Sequence, residues 1–406
     1  MKPKLYFFTA TYPYTNKAWI TNELLKLKDV FDVIVIPSHF YESFTKAEPI
    51  DGIKYEDFLL DLRQSIPFGK RFLRILTSRY AFIFLLEFFK KGVFLSKAKF
   101  FRWIGASYKM LLLARNERLK KIFDQADENT IFYFYWARET SEILGLYRKT
   151  KAKIVVRFHG YDLYEYRFYN YMPYRDRQLK NLDWAIFISE DGEKYLRSLY
   201  KNVAFKSKVF RLGTYSYGKA KQSNDGIFRL VSCSSLVDVK RVHIIAQALQ
   251  YIDFPIHWTH IGGGEELDKI KAITKDLPKY ISVKFTGTVP PEKVFEYYVN
   301  QPVDLFVNVS SSEGIPVSIM EAFASAIPVY ATDVGGTHEI VNSENGKLLN
   351  PDITPEELAK EIREFRELPY EQKERLRQNA YKTFQEKYNF EKNSSKFVKF
   401  LLSLVD

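Results

Sequence analysis

Apolar residues in this chain come in short β-branched and aromatic runs that alternate with stretches of helical spacing. Residues 5–10 are an apolar run, and 11–16 carry turn residues. Ile20, Leu24 and Leu27 recur at helical intervals over 18–27, and 32–37 is a β-branched run closed by Pro37. Strand, turn, helix and strand in that order make one βαβ unit of a parallel sheet. Apolar runs at 130–135, 154–158 and 184–189 read as strands buried on both faces. The polar, aperiodic stretch 214–226 has the composition of a linker. A second series then starts afresh. Strands are predicted at 228–233, 257–261, 282–285, 304–309 and 329–332, alternating with helices at 242–250, 265–275, 291–298 and 316–325. Glycines stand at several strand ends: Gly262 to Gly264, Gly287, and Gly335 with Gly336.

This pattern predicts an α/β chain of two Rossmann-like, doubly wound parallel-sheet domains facing each other across a cleft. The expected bounds are 1–215 and 216–385, with 386–406 a C-terminal helix packing back on the first domain. A chain of 406 residues exceeds the size at which a single core keeps growing. Ligands in such folds bind outside the carboxyl ends of the strands.

Charge separates the two halves. The net charge is +12, but residues 1–215 hold 38 Lys and Arg against 23 Asp and Glu, and the remainder holds 23 against 26. Residues 66–123 concentrate the excess, interleaving Arg71, Arg74, Lys90, Lys97 and Arg102 with Phe72, Phe82, Phe88, Phe100 and Trp103. This fits two or three helices, with two readings open. Either they pack on the first sheet with solvated cationic tips, or they form a face for an anionic membrane. Nucleic acid is not expected, because no recognised binding module is present. The lone Cys233 allows no intramolecular disulfide and fits a reducing compartment. The apolar start is too short for a signal peptide, and 80–89, which contains Glu87, falls short of the ~20 residues of a spanning helix. A cytoplasmic protein, soluble or peripheral on the inner face of the cytoplasmic membrane, is expected.

The most informative segment runs from Ser310 through Glu313, Gly314, Ile315 and Pro316 to Glu321 and Ala322. A strand enters a short glycine-containing loop, and a helix begins at a proline, whose missing N–H costs nothing there. Such a helix start offers backbone N–H groups and a positive dipole end to an anion. Glu321 lies in a helix otherwise made of Val317, Ile319, Phe323 and Ala324, where a carboxylate is either paired or functional. Two carboxylates at this spacing suit a ligand with two hydroxylated rings, a sugar and a ribose. Spacing alone equally fits a solvated loop charge and a surface helix residue. In the first half, His159 follows the strand 154–158 and precedes Gly160, with Asp162 close behind. Its position at a strand end leaves structural and functional roles both open.

The stretch from Glu313 to Glu321, followed by Ile327, Pro328, Gly335, Gly336 and Glu339, resembles the donor-site signature of glycosyltransferase family 4. Its wording is similar to that of bacterial surface-polysaccharide transferases. The resemblance implies the GT-B fold. It also implies a retaining enzyme that moves a hexose from a UDP- or GDP-sugar to a glycan or lipid-linked acceptor in polysaccharide biosynthesis. By the same resemblance, Glu313 would hold the sugar hydroxyls and Glu321 the ribose hydroxyls. Gly314, Ile315 and Pro316 would present backbone to sugar and phosphate, and Gly287 and Val289 would lie along the base. His159 would contact the sugar near the reacting carbon, and Asp162 would orient it or touch the acceptor.

The family's arginine–lysine pair for the pyrophosphate is only half present. Lys240 falls on the lysine, Ser235 where the arginine belongs, and Arg241 where a glycine is usual. Two cations stabilise a leaving diphosphate better than one, so either Arg241 supplies the second from a shifted position or the protein is weaker or specialised. At the first turn, Thr15, Asn16, Lys17 and Ala18 replace the glycine pair of many relatives, and Lys17 offers a charge instead.

No metal and no cofactor are expected. His257 and His260 would point to opposite faces of a strand, and no Asp-x-Asp stands in a suitable loop. Lys240 and the helix dipole would take the metal's place at the phosphate. Two rivals stay open: a GT-B-fold sugar-nucleotide epimerase, and a non-catalytic sugar-nucleotide-binding partner subunit. The second is kept alive by Ser235.

Overall fold

The computed structural model describes residues 2–14, 18–39, 47–60 and 66–405. The chain forms two compact units. Met1–Phe210 and Ser394–Asp406 make the first, and Arg211–Asn393 the second.

The first unit is built on seven strands: β1 Lys4–Thr9, β2 Asp32–Pro37, β3 Lys54–Tyr55, β4 Thr130–Phe134, β5 Lys153–Phe158, β6 Trp184–Phe187 and β7 Ser207–Val209. They lie in the order β3-β2-β1-β4-β5-β6-β7, all parallel. Parallel strands joined by crossovers are covered on both faces, and alternate side chains serve the two sides. Phe8, Ile36, Phe134 and Val156 enter one core cluster, and Leu5, Phe7, Val33 and Tyr133 enter the other.

The basic stretch lies over the first of these faces. It folds as three α-helices, Phe68–Leu76, Ala81–Lys90 and Lys97–Arg115, and runs on into a fourth, Glu117–Gln125. Trp103 is fully buried there and donates its indole N–H to the Phe84 carbonyl at 3.0 Å. Among the described residues no helix is long and apolar enough to cross a membrane.

The opposite face is closed by the end of the chain. The helix Phe390–Leu402 crosses into the first unit at Ser394. Its Phe397 meets Tyr133 and Phe210 at ring-centroid distances of 5.4 and 5.2 Å. The Arg157 guanidinium lies 4.3 Å from the centre of the Phe397 ring. Arg157 forms a buried ion pair with Glu23, whose other oxygen accepts from the Tyr133 hydroxyl at 2.8 Å.

The second unit holds β8 Phe228–Cys233, β9 Ile256–Ile261, β10 Ile281–Phe285, β11 Leu305–Asn308, β12 Val329–Thr332 and β13 Gly346–Leu349. Their order is β10-β9-β8-β11-β12-β13, again all parallel. In each sheet the chain starts at the centre and winds outward both ways, so strand order reverses beside β1 and beside β8.

The structure departs from the sequence reading in detail. The edge strands β3, β7 and β13 were not anticipated. They hold two, three and four residues, too few to show a period. The helix expected over 265–275 is limited to Leu267–Ile273. The one over 242–250 ends at Ala248 and tightens into a 3₁₀ turn, Leu249–Tyr251.

Phe397→Ala should cost roughly 3–5 kcal/mol, because the ring is 2% exposed and its removal opens a void against β4. Denaturant unfolding measures this, and a loss below 1 kcal/mol would contradict the packing described.

Candidate functional site

In the second unit the polar residues collect at the carboxyl ends of β8 and β11. The loop after β8 carries Ser235, Lys240 and Arg241, and the loop after β11 carries Glu313 and Gly314. Gly262, just past β9, has a φ of +136°. A side chain there would strike the Ser234 carbonyl, 1.9 Å from the position of a Cβ. This close approach seats the loop after β9 against the one that leads to Lys240.

Glu313 is 7% exposed, and its Oε1 accepts from Lys240 Nζ at 2.5 Å and from Asn308 Nδ2 at 3.4 Å. The structure therefore joins two predicted site residues directly. Pro316 precedes the helix Val317–Ala324 as its N-cap, one position earlier than the first-turn place expected of it. No side chain caps this helix, so its first N–H groups face outward unsatisfied by the protein's side chains. Ile315 is buried, and the Gly314 carbonyl accepts from Gly336 N at 2.8 Å, which fixes the loop against the turn after β12.

Arg241 is placed differently from the expectation that it supplies a second phosphate cation. Its Nε donates to the Val309 carbonyl at 2.8 Å. Its Nη2 donates to the Ser310 and Pro351 carbonyls at 3.3 and 2.6 Å. The guanidinium braces the loop that carries Glu313. Its own backbone is left-handed, φ 48°, which re-aims the chain between Lys240 and the following helix. Ser235 is exposed in the loop after β8, Gly287 takes a φ of 69° beyond β10, and Val289 packs at the margin of the core.

Glu321 is partly exposed and has no hydrogen bond or ion pair among the described residues. Its helix buries Ile319, Met320, Ala322, Phe323 and Ala324, and burial pushes its carboxyl up to about 7. His260, by contrast, is fully occupied by Ser232 Oγ at 2.8 Å and the Ser234 carbonyl at 3.1 Å.

In the first unit, His159 stands at the end of β5. It is 7% exposed, with its ring 4.9 Å from that of Tyr135 and 4.4 Å from that of Trp136. Among the described residues neither ring nitrogen makes a hydrogen bond, and Nδ1 lies 3.9 Å from Asp162 Oδ2. A buried polar group left unpaired by the protein is uncommon and calls for a partner such as water or a ligand. Asp162, expected to orient His159 or touch the acceptor, is placed for the first of these roles. It is fully buried, and its two oxygens accept from His159 N at 2.5 Å and Ala137 N at 2.6 Å. It thereby ties the loops after β4 and β5 and positions His159. Lys17 lies outside the described residues.

Residues 217–383 match the family model described as Glycosyl transferases group 1. The second unit carries a group 1 glycosyltransferase domain. Within that domain fall Lys240, Glu313 and Glu321. The chain is 32% identical to the O-antigen biosynthesis glycosyltransferase WbnH of Escherichia coli over 30% of this chain and 33% of that protein. It thus spans about a third of that relative's length. It is 24% identical to the amylovoran biosynthesis glycosyltransferase AmsK of Erwinia amylovora over 88% of this chain and 89% of that protein. The solved structure of Anabaena Alr3699/HepE in complex with UDP-glucose is similar with a TM-score of 0.65. It has 17% identity and covers 98% of this chain and 99% of its own. That likeness shows the fold, which is the GT-B type the sequence resemblance implied.

The raised Glu321 carboxyl in the group 1 domain predicts a pH dependence. Its ordinary value is 4.5, so between there and about 7 the native state keeps a proton that the unfolded chain has released. Stability contributed by this group is therefore lost as pH rises through that window. Glu321→Gln should be more stable than the parent at pH 8, by up to about 3 kcal/mol, and nearly equal to it at pH 4. Denaturant unfolding at the two pH values decides this, and a difference that does not change with pH goes against it.

Proposed function

We propose that this chain is a retaining glycosyltransferase of the family 4 type. It moves a hexose from a UDP- or GDP-sugar to a glycan or lipid-linked acceptor in the assembly of a surface polysaccharide. The observation that carries this reading is the Lys240–Glu313 pair beside the uncapped start of Val317–Ala324. Without a ligand, each charge offsets the desolvation of the other. An entering nucleoside diphosphate would take Lys240 and the helix N–H groups, and the donor sugar's hydroxyls would take Glu313. Glu321, unpaired as it stands, would accept the ribose hydroxyls. The HepE structure, whose ligand is UDP-glucose, supports a uridine nucleotide-sugar donor.

In this reading the bond between the anomeric carbon and the diphosphate oxygen loosens first. Lys240 and the helix dipole stabilise the departing charge, in the role a divalent cation has in metal-dependent transferases. The acceptor hydroxyl attacks on the face the diphosphate leaves, so configuration is kept, and a phosphate oxygen takes the hydroxyl proton. No resident metal or cofactor takes part. In the first unit His159 is proposed as the sugar-contacting histidine, on the strength of its unpaired ring nitrogens.

A lipid-linked acceptor is supported by the surface of the basic helices. Phe82, Phe89, Phe94, Leu95 and Phe101 are all more than half exposed there, beside Lys90, Lys91, Lys97 and Lys99. The rings of Phe88, Phe89 and Phe94 lie within 6.3 Å of one another, so the exposed Phe89 and Phe94 are neighbours. Apolar side chains among cations suit the interface of an anionic bilayer, which supports a peripheral position at the inner face of the cytoplasmic membrane.

Lys240→Ala and Glu313→Ala should each lower transfer by about 10²–10³-fold, measured with a screened nucleotide sugar and acceptor. The product should keep the donor's anomeric configuration by NMR. Near-normal transfer in both variants removes this site from the mechanism. The protein should also sediment with vesicles containing phosphatidylglycerol at low salt, and Phe82→Ser with Leu95→Ser should release it. Equal sedimentation of parent and variant counts against the membrane face.

A further inference from the structure

Within the first unit is a second concavity, of about 240 Å³, that the donor chemistry does not use. Arg102 and Lys109 reach it from the helix Lys97–Arg115. Arg138 and Glu142 reach it from the segment after β4, and Arg175 and Gln178 from the helix Arg175–Asn181. The charges do not cancel. Lys109 is taken by Glu139 at 2.7 Å and Glu142 at 3.4 Å. Among the described residues, Arg102, Arg138 and Arg175 have no carboxylate in ion-pair contact.

Two of these arginines crowd one ring. The guanidinium carbons of Arg102 and Arg138 lie 4.2 and 4.8 Å from the centre of Phe168. Burial and the neighbouring Arg138 charge both push Arg102 below its ordinary value. Arg175 is 2% exposed. It donates to the carbonyls of Ala137 at 3.0 Å and Asp162 at 2.6 Å, so it is locked to the loops that hold His159. Arg102 Nε, Arg138 Nη1 and Arg175 Nε are shielded from solvent and donate to nothing among the described residues. Glu142 and Glu139 hold Arg138 above its ordinary value, but the idle donors gathered around the concavity stay uncompensated until an anion enters.

We propose that this pocket binds a phosphate-class oxyanion, the diphosphate or phosphodiester group carried by the acceptor. Four cations and the two glutamates Glu139 and Glu142 leave room for a doubly charged anion, where a sugar carboxylate brings a single charge. Planar guanidinium groups also match phosphate oxygens in pairs. That the phosphate belongs to the acceptor rests on the glycosyltransferase reading, whereas the pocket's preference for phosphate does not.

Full-length Lys240→Ala protein, in which the second unit's phosphate contact is removed, is titrated with inorganic pyrophosphate by calorimetry. One site is expected. It should weaken at least tenfold when Arg102→Gln and Arg138→Gln are added, and less when Arg102→Lys is added instead. Geranyl diphosphate should compete with pyrophosphate for the same site. Binding that ignores both arginines, or galacturonate binding as tightly as pyrophosphate, overturns the proposal. Failure of geranyl diphosphate alone overturns the assignment to the acceptor. Absence of sugar transfer by the parent protein, with pyrophosphate binding intact in the Lys240→Ala protein, would sink the glycosyltransferase reading and leave the pocket standing.

Discussion

A parallel sheet wrapped on both faces can expose polar chemistry only at the ends of its strands, and both units are built under that constraint. The strands β1, β4 and β5 in one unit, and β8, β11 and β12 in the other, are apolar nearly throughout. Their backbone groups are consumed by the ladders, and their side chains by the two cores. What remains for recognition is the loops at the carboxyl ends, beside the points where strand order reverses. His159, Lys240 and Glu313 all stand there.

Loops of this kind carry unpaired backbone groups, and the protein satisfies them with charged side chains placed beneath. Arg241 gathers the carbonyls of Val309, Ser310 and Pro351. Asp162 gathers the N–H groups of Ala137 and His159, and Arg175 the carbonyls of Ala137 and Asp162. These buried ions do structural work with backbone partners rather than with each other. Their effect is to leave other groups underused. Among the described residues His159 makes no ring hydrogen bond, Glu321 makes no hydrogen bond or ion pair, and Glu313 is paired with Lys240. Strain of this type persists where the surrounding structure over-determines it, and it is one way a site is kept ready.

The comparisons fit that division of labour. The family model falls on the second unit, which carries the donor-site wording, whereas likeness to solved structures extends over both units at low identity. A core needs only apolar residues at the right period, so it tolerates wide substitution. A carboxylate that must meet hydroxyls at a set distance does not.

The sequence by itself determined the alternation of strands and helices and the candidate role of the segment from Glu313 to Glu321, whereas the second unit begins at Arg211 and takes in the stretch 214–226 that reads as a linker. Each of these is local: a period, a turn, or a strand–loop–helix transition read within a dozen residues. Only the tertiary structure decided which charges are spent and which are free. Lys240 and Glu313 are 73 positions apart and Glu23 and Arg157 are 134 apart, so no window of sequence holds either pair. Arg241 reads as a phosphate contact in sequence and Asp162 as either a support for His159 or an acceptor contact, and in the fold both brace backbone groups. The pocket of Arg102, Arg138 and Arg175 draws on three separated segments. The physical reason is that burial and pairing belong to the folded environment, whereas residue type and spacing belong to the chain.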